Sequence, residues 1–201
     1  MHVVISRYAG LAPRAEEAAP KVREGFVPLL KGCRGFLGYA ALASEQGDIL
    51  AITVWQDAAA AADNRERIRG WVRENLRGLA PDEPTERLPG DVVEHAMAEP
   101  QSGGPGQSLC CMVRRYGGVP PEGEMRPLVQ QTLDRLRKAE GFRGAYVVRD
   151  PQDAGRLTSV ALFDSRAGAE RLFREVTQAA MPPGMTQRVL GSGQTAVLAM
   201  A

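Results

Sequence analysis

Residues 35–39 read GFLGY, and residues 49–55 read ILAITVW. Both runs are rich in aromatic, β-branched and small apolar residues, and the polar QGD at 46–48 has the composition of a tight turn. This pattern predicts two consecutive strands joined by that turn. Residues 58–76 follow at once with alanine-rich, helically spaced apolar positions, which predicts a helix.

The same pattern recurs about 106–108 residues further along the chain. Residues 141–146 read GFRGAY, residues 156–163 read RLTSVALF, and helical spacing follows from about 165 to 180. The sequence RYAG at 7–10 likewise corresponds to RYGG at 115–118. Self-similarity at a fixed spacing indicates an internal repeat. The sequence therefore predicts one unit written twice.

Each predicted repeat has the element order β-α-β-β-α-β. The first begins with a strand at 2–8 and a helical run at 14–31, in which Pro20 and Pro28 argue against one unbroken helix. The second begins with a strand at 109–116 and a helix from about 124 to 139.

The end of each predicted repeat is a strand. In the first repeat, Pro81, Pro84 and Pro89 predict an extended loop before a strand at 91–97. In the second, the last strand is predicted at 195–200. The GP-rich sequence EPQSGGPG at 99–106 has the composition of a linker. The predicted domains are therefore 1–98 and 107–201, with the linker at 99–106 between them.

The predicted fold class is α+β. Each repeat is expected to be ferredoxin-like, with its helices on one face of a four-stranded antiparallel sheet. The other face of each sheet must also be covered, so the two sheets are expected to pack against each other. The result is an intrachain pseudo-dimeric α/β barrel, and further pairing of two chains into a homodimer is left open.

Composition limits the classes of partner. The chain has 201 residues, and its 25 Lys and Arg against 24 Asp and Glu give almost no net charge, which argues against a nucleic acid or an anionic membrane surface. No apolar run approaches the roughly 20 residues of a membrane span. No secretory signal is visible, and three cysteines do not form a disulfide framework, so a cytoplasmic protein is expected.

At these residues the chain resembles the dimeric α/β-barrel group of antibiotic-biosynthesis monooxygenases, with their quinol-oxidising and heme-degrading relatives. The resemblance rests on GFLGY at 35–39, on ITVW at 52–55 and on the alanine-rich helix after Asp57. It covers both halves of the chain, as a tandem fusion of what is usually a homodimer. Since the group includes proteins of several functions, the resemblance predicts the fold more firmly than the reaction.

The heme-degrading branch is disfavoured by the residues at its motif positions. The positions that carry an Asn, a Trp and an axial His in that branch match Arg7, Asn64 and Glu74 here. A glutamate is a poor substitute for imidazole on heme iron.

The motif of the anthrone-oxidising branch is also incomplete. Its Asn and Tyr positions match Ala51 and Ala61, so only Trp55 agrees in the first half. The second half has Ser159 and Ala169 at these positions, with a Phe at 163 in place of the Trp.

A position that often carries a His in the quinol-oxidising branch matches Asn64 in the first half and Leu172 in the second. Since only the first half keeps a polar residue there, one working pocket per chain is expected, in the first half.

Four aromatic residues of the first half are predicted to bind the substrate. Trp55 is expected in the core or the pocket wall, and Trp71 lies two helical turns after Asn64, on the same helix face. For Trp55 the sharper alternative is a rim aromatic residue that stacks on a flat ligand. For Trp71 the alternative is an amphipathic helix packed on its sheet, which also buries a tryptophan. The predicted apolar pocket consists of Trp55, Trp71, Tyr39 and Phe36.

Three residues are predicted to be catalytic: His95, Asn64 and Arg7. His95 is one of only two histidines and the natural general base near neutral pH, although a structural histidine is the commoner outcome. Arg7 and Asn64 would stabilise an anion. The alternative for Arg7, which the repeat of this arginine at 115 favours, is a structural pair with a carboxylate or with carbonyl groups.

No cofactor and no metal are predicted. The histidines and cysteines lack ligand spacing, and no GxGxxG motif follows a strand into a helix. The first functional hypothesis is therefore a cofactor-independent monooxygenase that oxidises an aromatic polyketide-type phenol or hydroquinone with O2. The alternative is a non-catalytic ligand-binding or stress-associated barrel. A heme-binding relative is the third hypothesis.

Overall fold

The computed structural model describes residues 1–98, 108–178 and 181–201. These residues form two compact units, of which the first comprises 1–91 with 195–201 and the second comprises 92–194. The elements that begin in the first unit are β1 (His2–Tyr8), α1 (Ala15–Lys21), α2 (Val27–Lys31), β2 (Phe36–Ala43), β3 (Ile49–Trp55), α3 (Ala58–Asp63), α4 (Arg65–Asn75) and β4 (Glu86–Met97). Those that begin in the second are β5 (Cys110–Gly117), α5 (Glu122–Arg137), β6 (Phe142–Arg149), β7 (Leu157–Phe163), α6 (Arg166–Gln178) and β8 (Thr186–Met200).

The strand order confirms the α+β prediction. Hydrogen-bonded neighbours read β1-β3-β2-β8-β5-β7-β6-β4, which closes as an eight-stranded barrel. Strands β4 and β8 contribute residues to both units. In the first unit β1 pairs with β3 and β4, and the end of β8 pairs with β2. In the second unit β5 pairs with β7 and with the beginning of β8. The repeat boundaries at 98 and 107 stay a prediction. The predicted linker at 99–106 lies outside the described residues.

The first helical run is not one unbroken α-helix, as predicted. Residues 22–26 form a π-helical turn between α1 and α2, and the Val27 N–H donates to the Val22 carbonyl, five residues back. Pro20 lies inside α1 and Pro28 at the start of α2, where a missing N–H is tolerated.

The predicted loop at Pro81, Pro84 and Pro89 is wrong at its end. Pro89 lies within β4 and is the register partner of Val4 on β1. A strand accepts proline where its ladder does not need that N–H. Strand β4 therefore begins at Glu86 rather than 91, and β8 begins at Thr186 rather than 195.

The glycines of the GFLGY sequence have distinct physical roles. Gly35 has φ +79°, and a Cβ there would lie 2.7 Å from the Cβ of Ala60. Gly38 follows a bulge in β2, and a Cβ there would meet the Met200 sulfur at 3.3 Å. The second unit has the same bulge between Phe142 and Gly144. The motif therefore sets the register of β2 against β3, and its counterpart in the second unit does the same for β6 against β7.

Among residues 1–98, 108–178 and 181–201, no helix combines the length and the hydropathy that crossing a membrane takes.

Candidate functional site

The first unit contains a cavity of about 120 Å³ between its helices and one face of its sheet. Strand alternation determines which side chains reach it. Val4, Ser6 and Tyr8 of β1 line the cavity, whereas Val3 and Arg7 belong to the opposite face. The sheet side also includes Trp55 and Thr53 of β3 and Tyr39 of β2. Residues of α1, α3, α4 and the π-helical turn form the helix side.

Aromatic rings form much of the cavity wall. Phe26, from the π-helical turn, contacts Tyr39 edge-on with ring centroids 5.4 Å apart, and its ring lies 4.9 Å from that of Trp71. Trp71 approaches the backbone so closely that a Cβ on Gly25 would lie 2.9 Å from its Cζ2 atom. Five aromatic residues line the cavity: Tyr8, Phe26, Tyr39, Trp55 and Trp71. Such a wall fits a flat apolar ring.

The charged groups at this cavity are cationic. Arg65 and Arg87 line it, and the described lining residues include no carboxylate and no imidazole. Burial lowers the pKa of Arg87, and the charge of Arg65 lowers it further, while Glu83 and Tyr8 oppose this effect. Because a guanidinium keeps its proton at any physiological pH, Arg87 presents a partly desolvated positive charge.

The two tyrosines that line the cavity are held in their neutral form. Burial raises the pKa of Tyr39 well above 10, and the neighbouring Tyr8 adds to this effect. Burial and the charge of Glu83 raise the pKa of Tyr8, although Arg87 opposes the change. Near neutral pH both hydroxyls therefore carry a proton that they can donate to a ligand oxygen.

The structure brings together three of the four predicted substrate-binding residues. Trp55, Trp71 and Tyr39 all line the cavity of the first unit. Phe36 does not line it: its ring packs edge-on against Trp55 with centroids 5.9 Å apart. Phe36 thus supports the tryptophan from behind. The role of all four in binding a substrate stays a prediction.

Arg7 lies on the strand face opposite the cavity. Its Nε donates to Asp48 Oδ2 over 2.6 Å, and its Nη1 lies 3.6 Å from Glu86. Asp48 also accepts from the Gly10 N–H at 2.9 Å. Arg115 of the second unit pairs with Asp150 at 3.3 Å in the same manner. This is the geometry that the structural alternative for Arg7 predicts.

Asn64 marks a break between two helices. It ends α3 and precedes α4, and its Nδ2 donates to the carbonyl of Ala60 at 2.9 Å. The predicted single helix at 58–76 is therefore two helices. Asn64 does not line the cavity of the first unit.

His95 belongs to the second unit and is exposed on β4. Its ring stacks on that of Tyr146 with centroids 6.4 Å apart. It lines neither the cavity of the first unit nor that of the second. The structure thus places the three predicted catalytic residues apart from the cavity where the predicted aromatic residues meet.

Three residues that line the cavity were not predicted from the sequence: Arg87, Tyr8 and Phe26. Arg87 is the register partner of Ser6, which puts both on the cavity face. Its strand was predicted to begin four residues later, so no face could be assigned to it. The spacing of Tyr8 from Val4 on an alternating strand is a signal that would have found Tyr8.

A second cavity, of about 160 Å³, lies in the second unit between α5 and its sheet. Its walls differ from those of the first cavity, since they include Arg114, Ser159 and two tyrosines among aliphatic side chains. Leu172, the counterpart of Asn64, is buried and does not line it. Each unit therefore has a cavity between a helix and its sheet, and the expectation of one working pocket per chain, in the first half, stays a prediction.

In the described parts of the chain, no group of three or more His, Cys, Asp or Glu side chains could hold a metal ion. All three cysteines are free thiols and buried.

No protein-family model matches this sequence, and no curated protein matches it. Solved structures do. A candidate monooxygenase from Fusobacterium nucleatum superposes with a TM-score of 0.72 at 12% identity, over 99% of this chain and 94% of that one. An anthrone oxidase-like protein gives 0.55 at 14% identity, over 100% and 93%. A mutant chlorite dismutase from Candidatus Nitrospira defluvii, in complex with cyanide, gives 0.60 at 11%, over 96% and 89%. At these identities the similarity shows the fold alone.

Proposed function

We propose that this protein is a cofactor-independent monooxygenase of the antibiotic-biosynthesis type, which oxidises an electron-rich phenol or hydroquinone with O2 in the cavity of the first unit. One observation carries the proposal: the same cavity has five aromatic wall residues and the partly desolvated guanidinium of Arg87. This combination suits a flat ring that becomes an anion. The candidate monooxygenase and the anthrone oxidase-like protein with the same fold support it.

The proposed reaction needs no external reductant, because the substrate supplies all the electrons. An anthrone loses a proton to form a carbanion, which passes one electron to O2 and then combines with the resulting superoxide. The carbon–peroxide formed in this way loses water to give a ketone. One oxygen atom enters the product and the other leaves in water, so anthrone plus O2 gives anthraquinone plus water.

The role proposed for the chain is to bind the ring and to favour its anion. Arg87 would lower the pKa of the bound substrate, because a desolvated positive charge favours a nearby negative one. The neutral hydroxyls of Tyr8 and Tyr39 would donate to the substrate oxygens. Trp55 and Trp71 would hold the ring and exclude water from the carbanion.

The sequence-based proposal that His95 is the general base forms one arm of the test. If His95 accepts the substrate proton, its loss slows the reaction by about 10²-fold or more. If the proton passes to solvent instead, the field of Arg87 is sufficient and loss of His95 changes little. Arg7 and Asn64, which bond to Asp48 and to Ala60, are proposed to act through the fold.

The test is oxygen uptake with a panel of anthrones and hydroquinones. We expect uptake above the rate without protein, and a loss of about 10²-fold in kcat/KM for Arg87→Gln, the size typical of an oxyanion donor. Arg14→Gln is the matched control, since it removes an exposed guanidinium of the same unit that does not line the cavity. His95→Ala completes the set.

A rate that never exceeds the background across the panel would overturn the proposal. So would equal losses in Arg87→Gln and Arg14→Gln, because they would separate the activity from the cavity. Isotopically labelled O2 must place one labelled atom in the product.

A non-catalytic ligand-binding barrel is the second candidate function. It is favoured by one observation, that no carboxylate or imidazole stands among the described residues lining the first cavity. A phenol that binds with Arg87-dependent affinity but is not consumed would establish this function instead.

A further inference from the structure

The cavity of the second unit contains an arginine and a serine on neighbouring strands. Arg114 of β5 and Ser159 of β7 are register partners, so their side chains stand next to each other on the cavity face of the sheet. The corresponding partners in the first unit are Ser6 and Ala51. The first cavity has its own arginine–serine partners, Arg87 and Ser6, but on β4 and β1, so the repeat does not account for the pair in the second cavity.

The Arg114 side chain and the Ser159 hydroxyl oxygen are both buried. Arg114 is 8% exposed, and burial lowers its pKa, while the hydrogen bond from its guanidinium to Tyr116 opposes this effect. Among the residues that the structure describes, the Ser159 hydroxyl oxygen is buried without a hydrogen-bond partner. A buried hydroxyl in that state costs free energy that a ligand oxygen would recover.

Most of the rest of the wall is apolar and fits the body of an apolar ligand, although Gln131, Thr132, Arg135 and Gln187 also line the cavity. Met125, Val129 and Leu133 from α5 face Val147 and Leu157 of the sheet across the cavity. A guanidinium presents parallel N–H groups that match the two oxygens of a carboxylate, and a serine hydroxyl can donate to one of those oxygens. A phenolate has a single oxygen and uses this pair less well.

We propose that the second unit binds a small organic carboxylate with an apolar body, whose carboxylate group lies between Arg114 and Ser159. This site is separate from the proposed oxidation site and does not depend on it. A failure to find oxygen uptake would leave it standing.

The probe is 3-phenylpropanoate, with 3-phenylpropanamide as its neutral isostere, and the measurement is isothermal titration calorimetry. We expect the acid to bind and the amide to bind at least about 10-fold more weakly, since charge-assisted hydrogen bonds are roughly twice as strong as neutral ones. Arg114→Gln should weaken binding of the acid about 10- to 100-fold.

Ser159→Ala is the milder variant and keeps the test valid if Arg114→Gln does not fold. It should weaken binding about 3- to 10-fold, as expected for one lost hydrogen bond. Ser6→Ala, at the position of the first unit that corresponds to Arg114, should bind the acid as the unchanged protein does.

Tryptophan fluorescence identifies which cavity is occupied, because both tryptophans line the first one. Binding in the second cavity should give a calorimetric signal, but it should not quench tryptophan fluorescence over the same range of ligand concentration. The proposal is overturned if the acid does not bind at millimolar concentration, if the amide binds equally well, or if both variants keep full affinity. Quenching that tracks the calorimetric isotherm and is lost in Arg87→Gln would place the ligand in the first cavity and also overturn it.

Discussion

Arg7 pairs with a buried carboxylate, that of Asp48, over 2.6 Å. The Asp48 side chain is 7% exposed, whereas Asp150, which pairs with Arg115 in the second unit, is 22% exposed. Burial strengthens an ion pair and also raises the cost of leaving one partner behind. We therefore expect Arg7 to act by holding the turn at Asp48, whose carboxylate also accepts from the Gly10 N–H.

We predict that Arg7→Ala lowers the free energy of unfolding by about 1–3 kcal/mol, the range for a lost hydrogen bond to a charged group. Arg115→Ala, the matched variant, should cost less because its partner is more exposed. Urea denaturation measures both. Ligand affinity in the first cavity should not change in folded Arg7→Ala, and a selective loss of oxygen uptake with full stability would contradict this structural role.

The burial of Tyr39 should make the free energy of unfolding depend on pH in the alkaline range. Burial raises its pKa in the folded state, so the folded chain keeps the tyrosine proton at a pH where the unfolded chain has lost it. The stabilising contribution is complete below the unfolded pKa of about 10 and is lost as the pH rises towards the folded value.

The free energy of unfolding should therefore fall as the pH rises above about 10. Tyr39→Phe should make this fall less steep, since one of the buried groups is removed. Denaturation curves over an alkaline pH series, with tyrosinate absorbance as a second signal, measure the effect. Identical slopes for the two proteins would show that Tyr39 ionises as easily in the folded state as in the unfolded one.

At the scale of elements, the π-helical turn at 22–26 positions the aromatic wall. It carries Phe26 to the cavity and leaves Gly25 under the Trp71 ring. π-helical turns occur often at functional sites. Here the turn has a direct steric consequence, because only a residue without a side chain allows the indole to lie so close to the backbone.

Gly25→Ala should displace Trp71 and cost about 1–3 kcal/mol of stability, as overpacking usually does. The tryptophan fluorescence spectrum of this variant and its affinity for an aromatic ligand in the first cavity should both change. Gly70→Ala, on α4 with open space around its position, should instead stabilise by about 0.4–1 kcal/mol. An unchanged spectrum in Gly25→Ala would refute the close packing.

The sequence predicts a helix or strand well where the residues that begin or end it are close by in the chain. GFLGY at 35–39 contains its own turn glycine and bulge, so β2 was predicted at the right place. Strand β4 was predicted to start late, because prolines normally end strands and its pairing partner β1 is about 80 residues away in the chain. The register that makes Pro89 acceptable is a long-range property.

The same distinction applies to the candidate sites. Trp55, Trp71 and Tyr39 were predicted at the cavity because large aromatic residues at strand and helix spacing are visible locally. Arg87 and the Arg114–Ser159 pair were not, since each depends on which residue of another strand lies opposite. Pairing across strands is what a single sequence shows least clearly.

At the scale of the whole molecule, the end of β8 belongs to the unit at the other end of the sequence. Residues 195–201 are part of the first unit, where Met200 pairs with Gly38 and Thr195 with Leu42. Without this segment β2 would expose an unpaired edge. Such edges promote aggregation.

A chain that ends at residue 194 should therefore lose the fold of its first unit. We expect red-shifted tryptophan fluorescence, loss of ligand binding in the first cavity and aggregation. A chain that lacks only Ala201 is the control and should keep native fluorescence. If the shorter chain remained soluble with native fluorescence, β2 would not need its partner.

The position of residues 195–201 has a consequence for the order of events during synthesis. A ribosome makes a protein from its N-terminus, and domains commonly fold in that order as they emerge. Here the first unit can be completed only after the second unit has been synthesised, because residues 195–201 follow residues 92–194 in the chain. Nascent chains of every intermediate length thus present an incomplete first sheet, and the half that is translated first is completed last.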